Sequence, residues 1–295
     1  MTRPRIAGVL APLCTPFDPA TGDVAPGAVT ANIARLLADG LSGFLMAGSS
    51  GEAPLLDREE QRRLIATARG AIPRDRHLLA GTGAESTRQA LALARDAAAE
   101  GADAVLVRPP SYFTATAAHS SASLAAHFRA IADGSPVPVL VYNIPKYARI
   151  PLAPELLAEL ASHPNIIGVK DSSGDAANLA AYRRAVPRWT VLVGSASLLR
   201  HALGLGCDGG IVGVACFAAR ACVELAALCA RGDAGAAAAQ QERVARLDKE
   251  IVGALGPAGI KAAMDAVGLV GGPVRPPLAP LAAPARARVD QLVAA

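Results

Sequence analysis

The amino-acid sequence predicts an α/β fold, a (β/α)8 TIM barrel followed by a small C-terminal helical domain. Eight short apolar runs, many of them rich in β-branched residues, alternate with longer Ala-, Leu- and Arg-rich stretches of helical pattern. Glycine or proline often marks the boundary between them. Eight strands that are each followed by a helix are typical of this barrel. With 295 residues, 52% of them hydrophobic and 18% charged, the chain can bury a large core.

The strands and helices of the barrel are predicted in alternation along the chain. Strands are predicted near residues 6–13, 43–47, 78–81, 104–107, 137–142, 165–170, 190–194 and 209–214. Helices are predicted near residues 27–39, 57–71, 86–100, 119–133, 153–162, 175–185, 197–204 and 217–230. A doubly wound parallel sheet is the alternative fold, but no Gly-x-Gly-x-x-Gly motif follows the first strand.

The last part of the chain carries helical patterns and no further strand pattern. Helices are predicted near residues 233–253, 257–267 and 281–294. We therefore expect residues 1–230 to form the barrel, which would be the catalytic domain, and residues 231–295 to form a helical domain packed on it.

Charge and cysteine patterns argue against several classes of function. The net charge of +4 is spread along the chain, and no basic stripe with interleaved aromatic residues indicates nucleic-acid binding. No apolar span of about 18 residues indicates a membrane helix, and the first residues lack a signal-peptide pattern. The five cysteines form no Cys-x-x-Cys pair and no metal-ligand spacing with histidine. We therefore expect a cytoplasmic protein with reduced thiols and no bound metal.

Lysine is rare in this chain, so the position of each lysine is informative. Only four of the 29 basic residues are lysines, namely Lys146, Lys170, Lys249 and Lys261. Lys170 ends an apolar run that predicts a buried strand, where a desolvated amine can attack a ketone carbonyl and form a Schiff base. The alternative is a structural lysine that extends to the rim or pairs with Asp171. The other three lysines are expected to be solvent-exposed, with Lys146 near the rim.

The active site of such a barrel lies at the carboxyl ends of the strands, where small, hydroxyl and reactive residues collect in this sequence. Tyr142 ends the strand before that of Lys170, so its phenol is a candidate proton shuttle. The turn Gly48-Ser49-Ser50-Gly51 offers N–H and hydroxyl groups to a carboxylate, and Glu52 is expected to hold this turn. The other residues expected at the substrate site are Tyr112, Ser172, Gly194, Ser195 and Val212.

Three motifs resemble those of the dihydrodipicolinate synthase and N-acetylneuraminate lyase family of class I aldolases. They are Gly48-Ser49-Ser50-Gly51-Glu52, Tyr142-Asn143-Ile144-Pro145 and Gly168-Val169-Lys170-Asp171-Ser172. The similarity covers nearly the whole chain, from Thr15 to Leu278.

The resemblance assigns a role to each motif. It implies that Lys170 forms a Schiff base with a 2-oxo acid, that Tyr142 moves protons, and that Ser49 and Ser50 bind the substrate carboxylate. Ser49 would also join the proton relay, and Tyr112 would reach into the site of a neighbouring subunit. The resemblance further implies a homotetramer built as a dimer of dimers, which needs no metal or organic cofactor.

The branch of the family is predicted from positions where this chain departs from the pattern of a branch and from short runs that are similar to one. Synthases of the lysine precursor usually carry an arginine at the position of Tyr147, and sialic acid lyases usually carry acidic residues where this chain has Ser195-Ala196-Ser197. The runs 79–87, 163–168 and 271–275 are more similar to the 4-hydroxy-2-oxoglutarate aldolases. We therefore expect an aldolase with pyruvate as product or donor. A dihydrodipicolinate synthase, a sugar-acid dehydratase and a non-catalytic 2-oxo acid binding protein remain the alternatives.

Overall fold

The computed structural model describes residues 5–116 and 119–294, and within them it confirms the predicted barrel. Eight parallel strands pair in chain order, and β1 pairs with β8 to close the ring. The strands are β1 Gly8–Ala11, β2 Gly43–Met46, β3 His77–Gly81, β4 Ala104–Val107, β5 Val139–Asn143, β6 Ile166–Asp171, β7 Thr190–Val193 and β8 Gly209–Ile211.

Helices surround the barrel and continue after its last strand. The α-helices are α1 Pro26–Ala38, α2 Arg58–Ala71, α3 Thr87–Ala99, α4 Ser121–Gly134, α5 Pro145–Ala148, α6 Pro154–Leu160, α7 Ala176–Ala185, α8 Leu199–Gly204, α9 Ala219–Arg231, α10 Ala234–Leu247, α11 Ala254–Ala266 and α12 Ala283–Ala294. The C-terminal helical region is thus confirmed, while the division into domains at residues 230 and 231 stays a prediction. None of these helices combines the length and the apolar character that crossing a bilayer requires.

The structure departs from the predicted elements at a few places. Strand β8 ends at Ile211, because the next residues turn into a short 3-10 helix, Gly213–Cys216. The predicted helix 233–253 ends in a π-helical turn, Asp248–Gly253, and Gly256 has a non-helical conformation just before Pro257. Proline lacks the N–H that would continue the hydrogen-bond ladder, which explains the bend at this point.

Local sequence signals explain where several helices begin. Asp57, Ser86, Ser120 and Asp175 each accept a hydrogen bond from a backbone N–H in the first turn of the helix that follows. Asp57 and Glu60 complete a capping box at the start of α2. These caps fix the points at which the chain leaves the loops above the barrel and enters the surrounding helices.

The apolar core has two layers, one inside the barrel and one between strands and helices. Alternate residues of a strand point to opposite faces, and Leu140 and Tyr142 of β5 belong to the inner layer while Val139 and Val141 belong to the outer. The inner layer is filled mainly by Leu and Ile side chains and includes Tyr142 near the carboxyl end of β5. The barrel interior is therefore packed below this level and open above it.

Candidate active site

Lys170 and Tyr142 are neighbours because their strands pair in register. Tyr142 lies opposite Lys170 in the β5–β6 ladder, and both side chains are buried, with exposures of 6% and 4%. The amine Nζ lies 3.3 Å from the phenol oxygen and 4.4 Å from the centre of the ring. Ser172 Oγ donates a hydrogen bond to the same phenol oxygen at 3.3 Å. The geometry therefore places an amine, a phenol and a hydroxyl in one hydrogen-bonded group.

Asp171 does not pair with Lys170, although it is its neighbour in the chain. Asp171 points to the outer face, where its carboxylate accepts hydrogen bonds from Asn143 Nδ2 at 2.7 Å and from Ser173 Oγ at 2.9 Å. No carboxylate of the described residues lies within ion-pair distance of Lys170 Nζ. The structural alternative of a Lys170–Asp171 ion pair is therefore wrong.

A cavity of about 640 Å³ opens above these side chains at the carboxyl ends of the strands. The predicted site residues that line it are Ser49, Ser50, Tyr142, Lys170, Ser172, Gly194 and Ser195. A Cβ atom at Gly194 would lie 1.8 Å from Ser172 Oγ and 3.1 Å from Lys170 Cε. Glycine at this position therefore leaves the space that the side chains of Ser172 and Lys170 occupy.

The turn after β2 presents Ser49 and Ser50 to the cavity. Ala47 and Glu52, on either side of the turn, have the positive φ angles of 49° and 58°. Within the described part of the chain, the N–H groups of Ser49 and Ser50 donate no hydrogen bond to a protein acceptor. A carboxylate could accept from them, as from other turns with unpaired N–H groups.

Three predicted site residues lie outside this cavity. Gly51 is buried behind the turn, where its carbonyl accepts a hydrogen bond from Thr15 Oγ1 at 2.7 Å. Val212 is fully buried in the layer between strands and helices. Tyr112 is 80% exposed on the loop after β4, with its ring edge-on to Phe113. Any part that these three play in binding stays a prediction.

Glu85 holds the loop that carries Tyr112. Its carboxylate accepts hydrogen bonds from Ser111 N and Oγ, both at 2.8 Å, and from Tyr112 N at 3.0 Å. It also pairs with Arg108 at 2.9 Å. Partial burial raises the pKa of Glu85, but these hydrogen bonds outweigh it and lower the pKa to about 2. The loop is therefore anchored by a carboxylate that stays ionised at neutral pH.

Lys261 was expected to be solvent-exposed, and that expectation is wrong. The residue is 1% exposed, and its Nζ lies 2.5 Å from Glu52 Oε1 and 2.6 Å from the Pro273 carbonyl oxygen, to which it donates a hydrogen bond. The ammonium is the only partner of this Glu52 oxygen within the described residues. Burial of the charge is possible because the counter-charge is supplied at the turn after β2.

Glu52 connects the turn of Ser49 and Ser50 to the C-terminal region, in keeping with its expected role of holding that turn. Its second oxygen, Oε2, accepts a hydrogen bond from Arg275 N at 2.8 Å. The guanidinium of Arg275 forms two hydrogen bonds of 2.6 Å with Glu60. The cations of Lys261 and Arg275 lie 4.3 and 4.2 Å from the centre of the Phe17 ring. Lysine is scarce in this chain, but scarcity alone does not separate the buried Lys261 from the exposed Lys249.

The C-terminal region also supplies a wall of the cavity that the sequence did not predict. Asp248 and Lys249, in the π-helical turn, line the cavity together with Lys146 of α5. Asp248 Oδ2 accepts hydrogen bonds from Ser195 Oγ at 2.7 Å and from Ser197 N and Oγ at 2.9 and 2.8 Å. No sequence motif marks these residues, because only the folded chain brings them to the rim. Among the described residues, no three His, Cys, Asp or Glu side chains are grouped as metal ligands.

Comparisons with known proteins agree with this geometry. The model of the dihydrodipicolinate synthetase family matches residues 5–295. A probable mitochondrial 4-hydroxy-2-oxoglutarate aldolase of Emericella nidulans is 39% identical over 252 residues, which cover 83% of this chain and 81% of the relative. A 4-hydroxy-tetrahydrodipicolinate synthase of Phenylobacterium zucineum is 34% identical over 294 residues, which cover 98% of this chain and 97% of the relative.

Solved structures show the same similarity in three dimensions. A prophage protein of E. coli K12, from the dihydrodipicolinic acid synthase family and in complex with pyruvate, is 31% identical with a TM-score of 0.91, and the match covers 98% of this chain and 97% of that one. The chloride-inhibited dihydrodipicolinate synthase of Acinetobacter baumannii, complexed with pyruvate, is 28% identical with a TM-score of 0.90 and the same coverage. The chain therefore belongs to the dihydrodipicolinate synthetase family and is an enzyme, a lyase of the aldolase type.

Proposed function

We propose that this protein is a Schiff-base aldolase that cleaves a short 4-hydroxy-2-oxo acid, such as 4-hydroxy-2-oxoglutarate, to pyruvate and an aldehyde. The observation that carries the proposal is the buried contact of 3.3 Å between Lys170 Nζ and the phenol oxygen of Tyr142 at the floor of an open cavity. The 39% identity to a probable 4-hydroxy-2-oxoglutarate aldolase supports the substrate, and the pyruvate in two related structures supports the product.

The first half of the proposed reaction forms the covalent intermediate. The neutral amine of Lys170 attacks the C2 carbonyl carbon, the resulting carbinolamine loses water, and an iminium ion remains. The substrate carboxylate accepts hydrogen bonds from the turn at Ser49 and Ser50. Binding of the carboxylate at this point orients the keto carbon toward the amine.

The second half breaks the carbon–carbon bond. The phenolate of Tyr142, with its proton relayed through Ser49, accepts the proton of the 4-hydroxyl group. The C3–C4 electron pair moves into the iminium, so that an aldehyde leaves and an enamine forms. Protonation at C3 and addition of water at C2 then release pyruvate and restore the free amine. Each step uses only side chains of the protein and water.

Assembly and location are part of the proposal. We expect a homotetramer in which Tyr112 of one subunit contributes its phenol to the site of its neighbour, as the exposed position of that side chain allows. We also expect the enzyme to act in the cytoplasm without a metal or organic cofactor.

A second candidate is 4-hydroxy-tetrahydrodipicolinate synthase, which would condense pyruvate with aspartate semialdehyde through the same imine. The 34% identity to such a synthase over 98% of this chain favours it. Tyr147, where those synthases usually carry arginine, argues against it, since the chain then lacks the guanidinium that binds the second carboxylate. A dehydration of a sugar acid through the same imine is the remaining activity to test.

The proposed function is tested by trapping and by product analysis. Borohydride added with pyruvate is expected to reduce the imine and leave an adduct on Lys170, which mass spectrometry of a digest locates. Cleavage of 4-hydroxy-2-oxoglutarate is expected to exceed condensation of pyruvate with aspartate semialdehyde and dehydration of sugar acids. Lys170→Arg is the matched control, because it keeps a long basic side chain but cannot form the imine. Full activity of Lys170→Arg, or no adduct on the native enzyme, would exclude the Schiff-base mechanism.

A further inference from the structure

Three of the four lysines of this chain line the cavity, and the fourth is Lys261 beneath the substrate-binding turn. The three are Lys146, Lys170 and Lys249, while no arginine of the described residues lines the same cavity. The mechanism uses Lys170 only. Lys146 and Lys249 therefore place two positive charges on the cavity wall that the chemistry of the imine does not explain.

The wall that carries the two lysines faces the substrate-binding turn across the barrel. The turn of Ser49 and Ser50 follows β2, whereas β6, which carries Lys170, is the strand opposite β2 in the closed ring of eight. Lys146 follows β5, on one side of β6, and Lys249 adjoins Asp248, which is bonded to the loop after β7 on the other side. A substrate bound at the turn and joined to Lys170 thus extends toward this wall.

The two ammonium groups are free to bind an anion. Both side chains are exposed, and neither lies in an ion pair with a carboxylate of the described residues. Lys146 Nζ donates to the Gly253 carbonyl oxygen at 3.0 Å, which leaves its other N–H groups for a ligand.

The acidic residues beside Lys249 are bound to other groups. One oxygen of Asp248 accepts three hydrogen bonds from the serines after β7, and Glu250 pairs with Arg246 at 3.0 Å and with Arg288 at 2.6 Å. Neither neighbouring carboxylate forms an ion pair with Lys249, so its ammonium group remains available to a ligand.

We propose that Lys146 and Lys249 bind a second carboxylate, so that this enzyme selects dicarboxylic over monocarboxylic 2-oxo acids. The inference rests on the proposed function, and it assigns the specificity of that function to two residues. The first carboxylate lies at Ser49 and Ser50, the keto carbon at Lys170, and the distal carboxylate at the two lysines. Charge-assisted hydrogen bonds of this kind are stronger than hydrogen bonds between neutral groups, although solvent weakens them at an exposed site.

The test compares two substrates that differ only at the distal end. They are 4-hydroxy-2-oxoglutarate and 4-hydroxy-2-oxopentanoate, in which a methyl group replaces the distal carboxylate, and both release pyruvate. For Lys146→Gln with Lys249→Gln we expect kcat/KM for the dicarboxylic acid to fall about 100-fold, on the basis of roughly 10-fold for each ammonium. The value for the monocarboxylic acid should change by less than about 3-fold, because that substrate has no group for the lysines.

Arg149→Gln is the matched control variant. Arg149 lies next to α5 and is exposed, but it does not line the cavity. Its removal lowers the positive charge of the same region by one without removing a ligand, so the ratio of the two kcat/KM values should stay unchanged. An equal loss for Arg149→Gln and Lys146→Gln would mean that a diffuse positive field, and no specific contact, sets the preference.

The outcomes separate this inference from the proposed function. If borohydride traps no pyruvate adduct on the native enzyme, the proposed aldolase mechanism and the assignment of Lys146 and Lys249 both fail. If the adduct forms and both substrates are cleaved, but the double variant loses activity equally on both or on neither, only the assignment of Lys146 and Lys249 fails. If the adduct forms and neither substrate is cleaved, 4-hydroxy-2-oxo acids are excluded as substrates, and the assignment of Lys146 and Lys249 fails with them.

Discussion

Two lysines of this chain are buried to nearly the same degree, and the protein surrounds them differently. Lys170 is 4% exposed and Lys261 is 1% exposed. Lys261 faces the carboxylate of Glu52, a carbonyl oxygen and the face of Phe17. Lys170 faces the phenol of Tyr142 and, within the described residues, no carboxylate.

The difference shows that burial alone does not decide what a lysine does. A desolvated ammonium is costly unless a counter-charge and hydrogen-bond acceptors surround it. Lys261 has these partners, so its role is structural. Lys170 has a proton donor and acceptor instead, which is the environment that the amine of a Schiff-base enzyme requires. The partner of each lysine therefore separates the structural residue from the candidate nucleophile.

The largest expected effect comes from Tyr142→Phe, which removes the phenol oxygen beside Lys170. We expect turnover to fall about 100- to 10,000-fold, because positioned proton transfer typically contributes that much. The pyruvate adduct trapped by borohydride should still form on Lys170, and the melting temperature should change little. Loss of the adduct together with turnover would assign Tyr142 to imine formation, while an unchanged rate would contradict any proton-transfer role.

The corresponding change at the second buried lysine is Lys261→Met, which leaves the carboxylate of Glu52 buried without a cation. Breaking a buried pair in this way typically lowers the free energy of unfolding by about 3–5 kcal/mol, measured by urea denaturation. Lys261→Met with Glu52→Gln should recover part of that loss, because Gln is uncharged and keeps an oxygen for Arg275 N. Lys249→Met, at an exposed lysine, is the control and should change the free energy of unfolding little. An equally small effect at Lys261 would mean that the pair adds no stability.

His127 offers a third way to bury a basic group, with a smaller effect that depends on pH. Burial lowers the pKa of His127 to about 4, and its Nε2 has no partner among the described residues. The unfolded chain takes up this proton near pH 6.5, so stability is present above that pH and is lost as the pH falls toward 4. We expect the native protein to lose about 2 kcal/mol more than His127→Gln between pH 7 and pH 5 in urea unfolding. Parallel pH profiles for the two proteins would contradict the buried neutral imidazole.

The sequence predicted the part of the site that follows from strand order and alternation. Lys170 and Tyr142 each end an apolar run, and in a closed parallel barrel such ends meet at one rim. Their contact required the register of β5 with β6, which includes an irregularity between Val139 and Leu140 that no sequence pattern reveals. The turn at Ser49 was predicted for the same reason, because it directly follows a strand.

The contributions of the C-terminal region could not be predicted from the sequence. Lys261 and Lys249 both lie in helical stretches, where the usual expectation for a lysine is a solvent-exposed position. Only tertiary packing distinguishes them, since Glu52 is more than 200 positions away in the chain and still meets Lys261 at 2.5 Å. The hydrogen bonds of Asp248 with Ser195 and Ser197 likewise join residues about 50 positions apart in the chain.

The link from Glu52 to Lys261 and Arg275 has a consequence for protein synthesis. A nascent chain on the ribosome makes the serine turn early, but the cation that neutralises the buried glutamate arrives only after some 200 further residues have been added. Until then the carboxylate of Glu52 lacks the ammonium that neutralises it, so the turn after β2 lacks its anchor. The turn after β2 can therefore reach its final packing only after the helix that carries Lys261 has been synthesised.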